Sequence, residues 1–321
     1  MLESCMAIGL VTILSSTVRA MTIWQKDGTL PSEQPPIPLF VDVSCGTNTR
    51  LRAAAEKAFD DYLRPFHQFP KILMMARLLH YQALRNREIK SLAEKTRPYA
   101  TNWINLLGKI LHKRHEQYRR ILERIEDYLE HLKNKLKDQD NEDLEQDSAL
   151  CEDKDSVNPV ESLARILLQL SGGEKQRTRL IQCLDSSLMA DRPNGLAVKR
   201  RVQTQVGTKR KTTIARSMVF TDTVLDYLVH RHVIKPRKNR INHHPISVQE
   251  FLRDLQDRYG FYVDKSPPGQ DISTELLREN RTILERRLRD LGLLTGVNDA
   301  ESMKRLQPRF EVEDWDNDDS E

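Results

Sequence analysis

The side chains most able to do chemistry in this chain are cationic, and they are concentrated in one stretch. Residues 199–240 hold twelve Lys or Arg against two acids, Asp222 and Asp226. Three of the twelve are consecutive: Lys209, Arg210 and Lys211. Such a block suits the phosphates of nucleic acid, because neutralising them releases condensed counterions. A solvated linker is the alternative interpretation, and both remain open at this point.

A second group of cations lies on a predicted helix that Ser273 begins and Gly292 ends. The leucines of this segment recur with helical spacing and predict a buried face. The opposite, exposed face is formed by Arg278, Arg281, Thr282 and Arg289. Because arginine can bind phosphate or guanine through two parallel hydrogen bonds, this face could contact nucleic acid. Pairing with Glu279 and Glu285 would instead make it a solubilising face.

A third group belongs to a predicted helix that begins near Ala100. Its inward positions are apolar, and its outward positions include Asn102, Asn105, Lys109 and Lys113. Asparagine can bind the edge of adenine, and lysine can bind phosphate or guanine. We therefore expect the two asparagines to contact bases and the two lysines to contact the backbone of the nucleic acid.

The elements around this third group resemble a helix-turn-helix. A short helix is predicted at 88–95, and it is followed by a break at Arg97-Pro98-Tyr99, because proline disfavours helical geometry at the residue before it. The longer helix comes next, as the motif requires. The resemblance covers residues 87–114 and implies that the longer helix contacts DNA.

The longer helix is also predicted to continue to about residue 136 with a seven-residue apolar repeat. The repeat is formed by Leu111, Tyr118, Ile125 and Leu132. Such a stripe is typical of a coiled-coil seam. It predicts either a homodimer through residues 107–136 or packing inside a single chain.

The C-terminal region, residues 247–310, resembles a winged helix. Ser247 and Glu250 form a capping box that begins one helix, the arginine-bearing helix follows, and a β-hairpin is predicted around Asn298-Asp299. This order of elements carries the resemblance, which implies a domain that binds DNA or protein. The connection Phe261–Ile272 is longer than the pattern has.

Other kinds of chemistry lack the necessary residues. The segment 170–177 resembles the signature loop of ABC-type ATPases, but no phosphate loop of the G-x-x-x-x-G-K-[ST] type precedes it. His230 and His232 lack the i, i+4 spacing of a helical metal pair, and the four cysteines show no paired spacing. We therefore expect a non-catalytic protein without a cofactor or a metal.

Length and composition favour a mainly α fold. The chain has 321 residues, of which 38% are hydrophobic and 31% charged, and only 12 are glycine. We expect a helix-turn-helix-bearing helical N-terminal domain with a long helix, and a winged-helix-like C-terminal domain with a small β-hairpin. Among the first helices, one from Leu51 is predicted to end before Pro65, and another to begin at Pro70.

The predicted organisation alternates folded domains with charged connections. Its segments are an extended or disordered N-terminal arm at 1–48, a helical domain at 49–136, an acidic linker at 137–160, a helical pair at 161–190, a basic linker at 191–216, a winged-helix-like domain at 217–310 and an acidic tail at 311–321. No run reaches the ~18 apolar residues of a membrane span. The apolar segment near the N-terminus follows the acid Glu3, whereas a secretory signal has positive charge before its apolar segment. We therefore expect a cytoplasmic protein with no membrane partner.

These patterns predict a protein that binds nucleic acid, most simply duplex DNA, and catalyses no reaction. The alternative is a structural or adaptor subunit of a multiprotein assembly, such as a bacterial anti-phage defence or mobile-element complex. The segregation of charge favours the first interpretation. The heptad stripe favours the second, because it could bind another protein.

Overall fold

The structure is a computed structural model. It describes residues 2–96, 100–138, 158–206, 209–237, 240–296 and 304–309. The mainly α fold is confirmed, since helices form most of the described chain. The acidic linker predicted at 137–160 lies largely outside the described residues, and the acidic tail at 311–321 lies wholly outside them.

The described helices are α1 (Leu2–Asp27), α2 (Thr49–Arg85), α3 (Arg87–Thr96), α4 (Ala100–Leu111), α5 (Tyr118–Asp138), α6 (Pro159–Leu170), α7 (Gly173–Ser187), α8 (Asp222–Val233), α9 (Val248–Tyr259) and α10 (Thr274–Asp290). The described strands are β1 (Leu39–Asp42), β2 (Ala197–Val206), β3 (Lys209–Val219), β4 (Ile234–Arg237), β5 (Arg240–His243), β6 (Ile246–Ser247), β7 (Phe261–Tyr262), β8 (Leu294–Thr295) and β9 (Arg305–Leu306).

The chain divides into two compact units. The helical unit comprises residues 17–34 and 65–180. The sheet unit comprises residues 1–16, 35–64 and 181–321. The predicted order of domains along the chain therefore differs from the compact units, because α1, α2 and α7 each contribute residues to both.

The helical unit buries the heptad stripe in its own core. Ile125 is fully buried, Leu111 is 3% exposed, and Tyr118 and Leu132 pack against the same cluster. The apolar positions are thus satisfied within one chain. The predicted homodimer seam through residues 107–136 was wrong, and the alternative of internal packing was right.

The predicted long helix from Ala100 is two helices, α4 and α5. Lys113 adopts a left-handed backbone conformation with φ of 59°, which ends α4. The amide of Arg114 donates to the carbonyl of Lys109 at 2.7 Å, and the amide of Lys113 donates to Ile110 at 3.1 Å. This is the Schellman termination, with lysine where glycine is more common.

Helix α2 is continuous through two prolines, contrary to the predicted break. Pro65 and Pro70 both lie inside the helix, although each removes a backbone hydrogen bond. The buried side chains on either side, among them Tyr62, Phe66 and Ile72, favour continuation of the helix. Apolar burial therefore outweighs a cost of roughly 3 kcal/mol per proline.

The predicted N-terminal arm at 1–48 was wrong over α1, which is a 26-residue helix. Ala7, Ile8 and Val11 are buried, so packing of this face offsets the entropy lost on ordering the segment. By length and composition, α1 is also apolar enough to cross a membrane. An 18-residue stretch of it has a mean hydropathy of 1.6, and 39% of that stretch is buried. Core helices and signal sequences pass the same test, so this is weak evidence for a membrane span.

The sheet unit is built on a four-stranded sheet with the order β2-β3-β1-β7. β1 is parallel to both neighbours, and β2 and β3 form an antiparallel hairpin of ten register pairs. The prediction of a basic linker at 191–216 is therefore wrong from Ala197 onward, where β2 and β3 replace it. The missed signals were β-branched residues around the two-residue connection 207–208, which lies outside the described residues.

In the rest of the sheet unit, the order of helices and strands agrees with the predicted winged-helix pattern. α8, β6, α9, α10, β8 and β9 follow one another, and the three short strands form an antiparallel sheet with the order β6-β9-β8. Ser247 and Glu250 form the predicted capping box, and Gly260 ends α9 in a left-handed conformation. The long connection 261–272 contains β7, which pairs with β1 and explains the departure from the pattern. The predicted turn at 298–299 lies outside the described residues.

Helix α10 is fixed to the four-stranded sheet by one fully buried amide, that of Asn280. Its Oδ1 accepts the backbone N–H of Val43 at 3.1 Å. Its Nδ2 donates to the carbonyls of Val41 at 2.8 Å and Val263 at 2.9 Å. One side chain thus satisfies one backbone group within β1 and two that lie just beyond β1 and β7.

We predict that Asn280→Ala destabilises the sheet unit by at least about 3 kcal/mol, because three buried backbone groups lose their partner at about 1–3 kcal/mol each. Urea unfolding followed by circular dichroism measures the effect. Thr282→Ala on the exposed side of the same helix is the control and should change stability by less than about 0.5 kcal/mol. Equal stability of the two variants would show that these hydrogen bonds contribute nothing.

We predict that Ile125→Asp destabilises the helical unit by about 3 kcal/mol or more, because the carboxylate would be buried without a partner. Tyr128→Asp, at a position 47% exposed on the same helix, should be nearly neutral. Chemical unfolding measures stability, and light scattering measures mass. A halved mass with unchanged helicity in Ile125→Asp would restore the dimer seam.

Candidate nucleic-acid interface

The inner side of α10 contains one arginine that is structural. Arg287 donates from Nη1 to the carbonyls of Val43 at 2.6 Å and Phe220 at 2.5 Å, and from Nη2 to Asp222 Oδ1 at 2.5 Å. It therefore joins α10 to the end of β1 and the start of α8. Together with Asn280, this guanidinium sets which face of α10 is turned outward.

The outer side of α10 presents three exposed arginines. Arg278, Arg286 and Arg289 are exposed, and none of them forms an ion pair with a described residue. With Thr282 they occupy positions i, i+4, i+8 and i+11, which lie along one helix face. We call these three arginines the arginine stripe. It extends about 16 Å, at 1.5 Å per residue.

Arg281 is placed differently from its prediction. Its guanidinium contacts Glu285 at 3.1 Å and Asp264 at 3.8 Å, and it is only partly exposed. Lys304 also donates to Glu285, at 2.7 Å. Burial acts to raise the pKa of Glu285, but the hydrogen bonds from Lys304 and Arg281 outweigh it and lower the pKa below its usual value. Arg281 thus belongs to an internal ion-pair cluster.

Arg286 was missed by the sequence analysis, although a simple signal was available. It follows Arg278 and Thr282 at steps of four and therefore lies on the same face. It lines a shallow groove of about 550 Å³ with Thr47, Asn48, Glu279, Thr282 and Ile283. The acid in this groove is already engaged, since Asn48 Nδ2 donates to Glu279 at 2.6 Å.

The opposite wall of the groove is the loop between β1 and α2, which is ordered by Asp42. The carboxylate accepts the amides of Ser44 at 2.8 Å and Gly46 at 2.9 Å, and the hydroxyl of Ser44 at 2.6 Å. Burial nevertheless raises the pKa of Asp42. These bonds are all internal to the loop, so Asp42 has a structural role.

The β2–β3 hairpin is anchored at its base by ion pairs. Arg216 binds Asp185 through two hydrogen bonds, at 2.7 and 3.0 Å. Arg200 binds Glu56 in the same way, at 3.0 and 2.8 Å. Lys199 lies 3.8 Å from Asp185 and 3.7 Å from Asp191. Three of the predicted phosphate-binding cations are therefore used to hold the hairpin.

Beyond this base the hairpin is a two-stranded ribbon. β1 pairs with β3 only at Met218 and Val219, whereas the β2–β3 pairing continues to Val206↔Lys209. We call residues 201–206 and 209–214 the outer ribbon. Its length is about 17 Å, at 3.3–3.4 Å per residue. Arg201, Gln203 and Thr212–Ile214 are exposed.

The outer ribbon is purely cationic. Its ionisable residues are Arg201, Lys209, Arg210 and Lys211, and it includes no acid. Arg201 forms no ion pair with a described residue. Lys209, Arg210 and Lys211 lie in β3 at the end far from β1, and their side chains are outside the described residues. The structure thus places the predicted basic cluster at the tip of a ribbon.

The helix-turn-helix-like segment exposes only part of its predicted set. Asn102, Lys109 and Lys113 are exposed, whereas Asn105 is half-buried. Oδ1 of Asn105 accepts the backbone N–H of Leu30 at 2.7 Å. The amide expected to bind a base therefore holds the segment that follows α1.

The same segment covers one face of α4 by close backbone contact. A Cβ atom built at Gly108 would lie 1.9 Å from the carbonyl oxygen of Gly28, so only glycine fits there. The Trp24 indole also donates to the carbonyl of Ile104 at 2.8 Å. The face of α4 with Asn105 and Gly108 is thus internal to the helical unit.

Other candidate chemistry is absent from the part of the chain that the structure describes. No group of three His, Cys, Asp or Glu there could hold a metal ion. Cys45 Sγ contacts the Phe220 carbonyl at 3.0 Å, and burial raises the pKa of this thiol, which disfavours the reactive thiolate. The segment that resembles an ATPase signature spans the turn between α6 and α7 and the first residues of α7, with Gly172 at φ of 75°.

Comparison with known proteins adds the family. The chain matches the family model described as methylation-associated defense system protein MAD7 over residues 5–310. No curated protein and no solved structure matches it. The family match covers most of α1, the outer ribbon and the region that resembles a winged helix. This chain therefore belongs to the family of the methylation-associated defense system protein MAD7.

Proposed function

We propose that this chain is a cytoplasmic, non-catalytic DNA-binding subunit of a methylation-associated defense system. The observation that carries the proposal is the outer ribbon, where four basic residues and no acid occupy a projecting hairpin. Arg201 is exposed, and cations in a segment without acids can bind phosphate, which releases counterions from DNA.

The arginine stripe supports the same proposal. Its three guanidinium groups lie on a helix whose rear side is fixed by Asn280 and Arg287. A rigid helix loses little entropy on binding, which favours affinity. In the winged-helix resemblance, α10 corresponds to the helix that would contact DNA.

The shapes of the two elements favour duplex over single-stranded DNA. The major groove, about 12 Å wide, admits either an α-helix or a two-stranded ribbon. Proteins that bind single strands instead stack bases on aromatic side chains. The large exposed apolar residues described in the sheet unit, which include Leu10, Val198 and Ile214, contain no aromatic side chain.

A second candidate function is that of an adaptor, and the family favours it because a defense system comprises more than one protein. The supporting structural observation is an apolar face on the N-terminal part of α1. Leu2, Met6, Leu10 and Ile13 are 74%, 52%, 48% and 67% exposed, at helical spacing. Contiguous exposed apolar patches on a protein surface often mark sites of interaction with other proteins.

For the DNA-binding proposal, we predict that replacing Lys209, Arg210 and Lys211 together with alanine weakens binding to duplex DNA and flattens its salt dependence. Each lost phosphate contact should reduce the slope of log affinity against log salt by about 0.9. Replacing Arg278, Arg286 and Arg289 together should have a similar effect. Fluorescence anisotropy with a labelled duplex, at several salt concentrations, measures both quantities.

The matched control removes the same charge from α5, by changing the exposed Arg119, Arg124 and Lys135 to alanine. Its slope should stay within error of the wild type. Unchanged slopes in both test variants would refute the proposal. A loss confined to Lys109→Ala/Lys113→Ala would move the interface to the helix-turn-helix-like segment.

For the adaptor proposal, we predict that the chain co-elutes with another protein of the same defense system when the two are expressed together. Met6→Asp/Leu10→Asp should abolish co-elution, because a carboxylate in an apolar contact is costly to bury. Leu170→Asp, at a leucine 50% exposed on α6, is the control. Co-elution of both variants would exclude the α1 face.

A further inference from the structure

The arginine stripe and the end of the described chain belong to the same winged-helix domain. β9 pairs with β8, which follows α10 directly. Lys304, just before β9, donates to Glu285 of α10 at 2.7 Å. The amide of Arg309 donates to His230 Nε2 at 3.2 Å. Whatever follows Arg309 thus continues from this domain.

The residues that follow are strongly acidic. Residues 311–321 contain seven Asp or Glu and no Lys or Arg. Extended at about 3.3 Å per residue, they have one charge per roughly 5 Å, against one per 3.4 Å along a single DNA strand. The tail is therefore similar to a phosphate backbone in charge density.

We propose that residues 311–321 bind the arginine stripe of α10 and compete there with DNA, so that the chain limits its own DNA binding. This inference rests on the proposed DNA-binding function. Guanidinium groups bind carboxylate and phosphate with the same paired geometry, so arginines suited to DNA also suit the tail. Trp315 adds an aromatic face on which a guanidinium can stack.

The length of the tail permits the contact within one molecule. Twelve residues from Phe310 extend up to about 40 Å, which exceeds the roughly 26 Å length of α10. A tethered segment of this length acts at a local concentration near a millimolar. A tail that binds weakly, with a dissociation constant of about 0.1 mM, would therefore weaken DNA binding by about tenfold.

Neutralising the tail in the full chain tests the proposal. The variant changes Glu313→Gln, Asp314→Asn, Asp316→Asn, Asp318→Asn and Asp319→Asn. It should bind duplex DNA about tenfold more tightly than the wild type. In the wild type, added salt weakens DNA binding but also releases the competing tail, and the two effects partly cancel. The variant lacks the second effect, so its affinity should fall more steeply with salt. Equal affinity and slope in the two proteins would overturn the inference while leaving DNA binding intact.

A second measurement needs no DNA and separates this inference from the proposed function. A fluorescent peptide of residues 310–321 should bind the neutralised-tail chain, and a peptide with the same five amide substitutions should not. Arg278→Ala/Arg286→Ala/Arg289→Ala should abolish peptide binding, whereas Lys209→Ala/Arg210→Ala/Lys211→Ala should preserve it. Peptide binding that survives loss of the arginine stripe, or no binding at all, would overturn the proposal even if the chain binds no DNA.

Discussion

The hydrogen bonds of Asn280 to β1 determine where both basic elements lie. The amide holds α10 to Val41 and Val43, and the same strand pairs with Met218 and Val219 at the base of the ribbon. Leucines alone would allow α10 to rotate or slide, because apolar contacts are not directional. A buried amide with three backbone partners allows one arrangement, since any shift leaves polar groups unsatisfied. The arginine stripe and the ribbon are therefore both positioned with respect to one strand.

The cations of the sheet unit have two different uses, and only the fold distinguishes them. Arg200, Arg216 and Arg287 bind acids or carbonyl groups and hold elements together. Arg201 and the arginine stripe form no ion pair with a described residue. A count of charges over 199–240 therefore overstates the cations available to a ligand. The distinction matters for experiments, because replacing an anchoring arginine would lower stability and DNA affinity together.

The local parts of this fold could be predicted from the sequence, and the non-local parts could not. Ser247 and Gly260 specify the ends of α9 through bonds within a few residues, so pattern alone located them. Helix α2 passes through Pro65 because side chains on both sides of it, such as Tyr62 and Phe66, are buried in the folded protein, which no local rule contains. Asn280 shows the same limit at the site. Its partners are 17 to 239 residues away, so in the sequence it is only a polar residue on an apolar face.

Two segments of the chain resemble DNA-binding motifs, and their outward polar residues have different hydrogen-bonding needs. Asn105 meets its hydrogen-bonding need at the backbone of Leu30, and the contact of Gly28 with Gly108 covers that side of α4. A neutral amide is satisfied by one backbone group, so it can serve equally inside a protein or at a base edge. A guanidinium needs an acid or several carbonyls to be buried, as Arg287 shows. Arginines that lack such partners are therefore stronger indicators of an external ligand than asparagines, which favours α10 over α4 as the helix that contacts DNA.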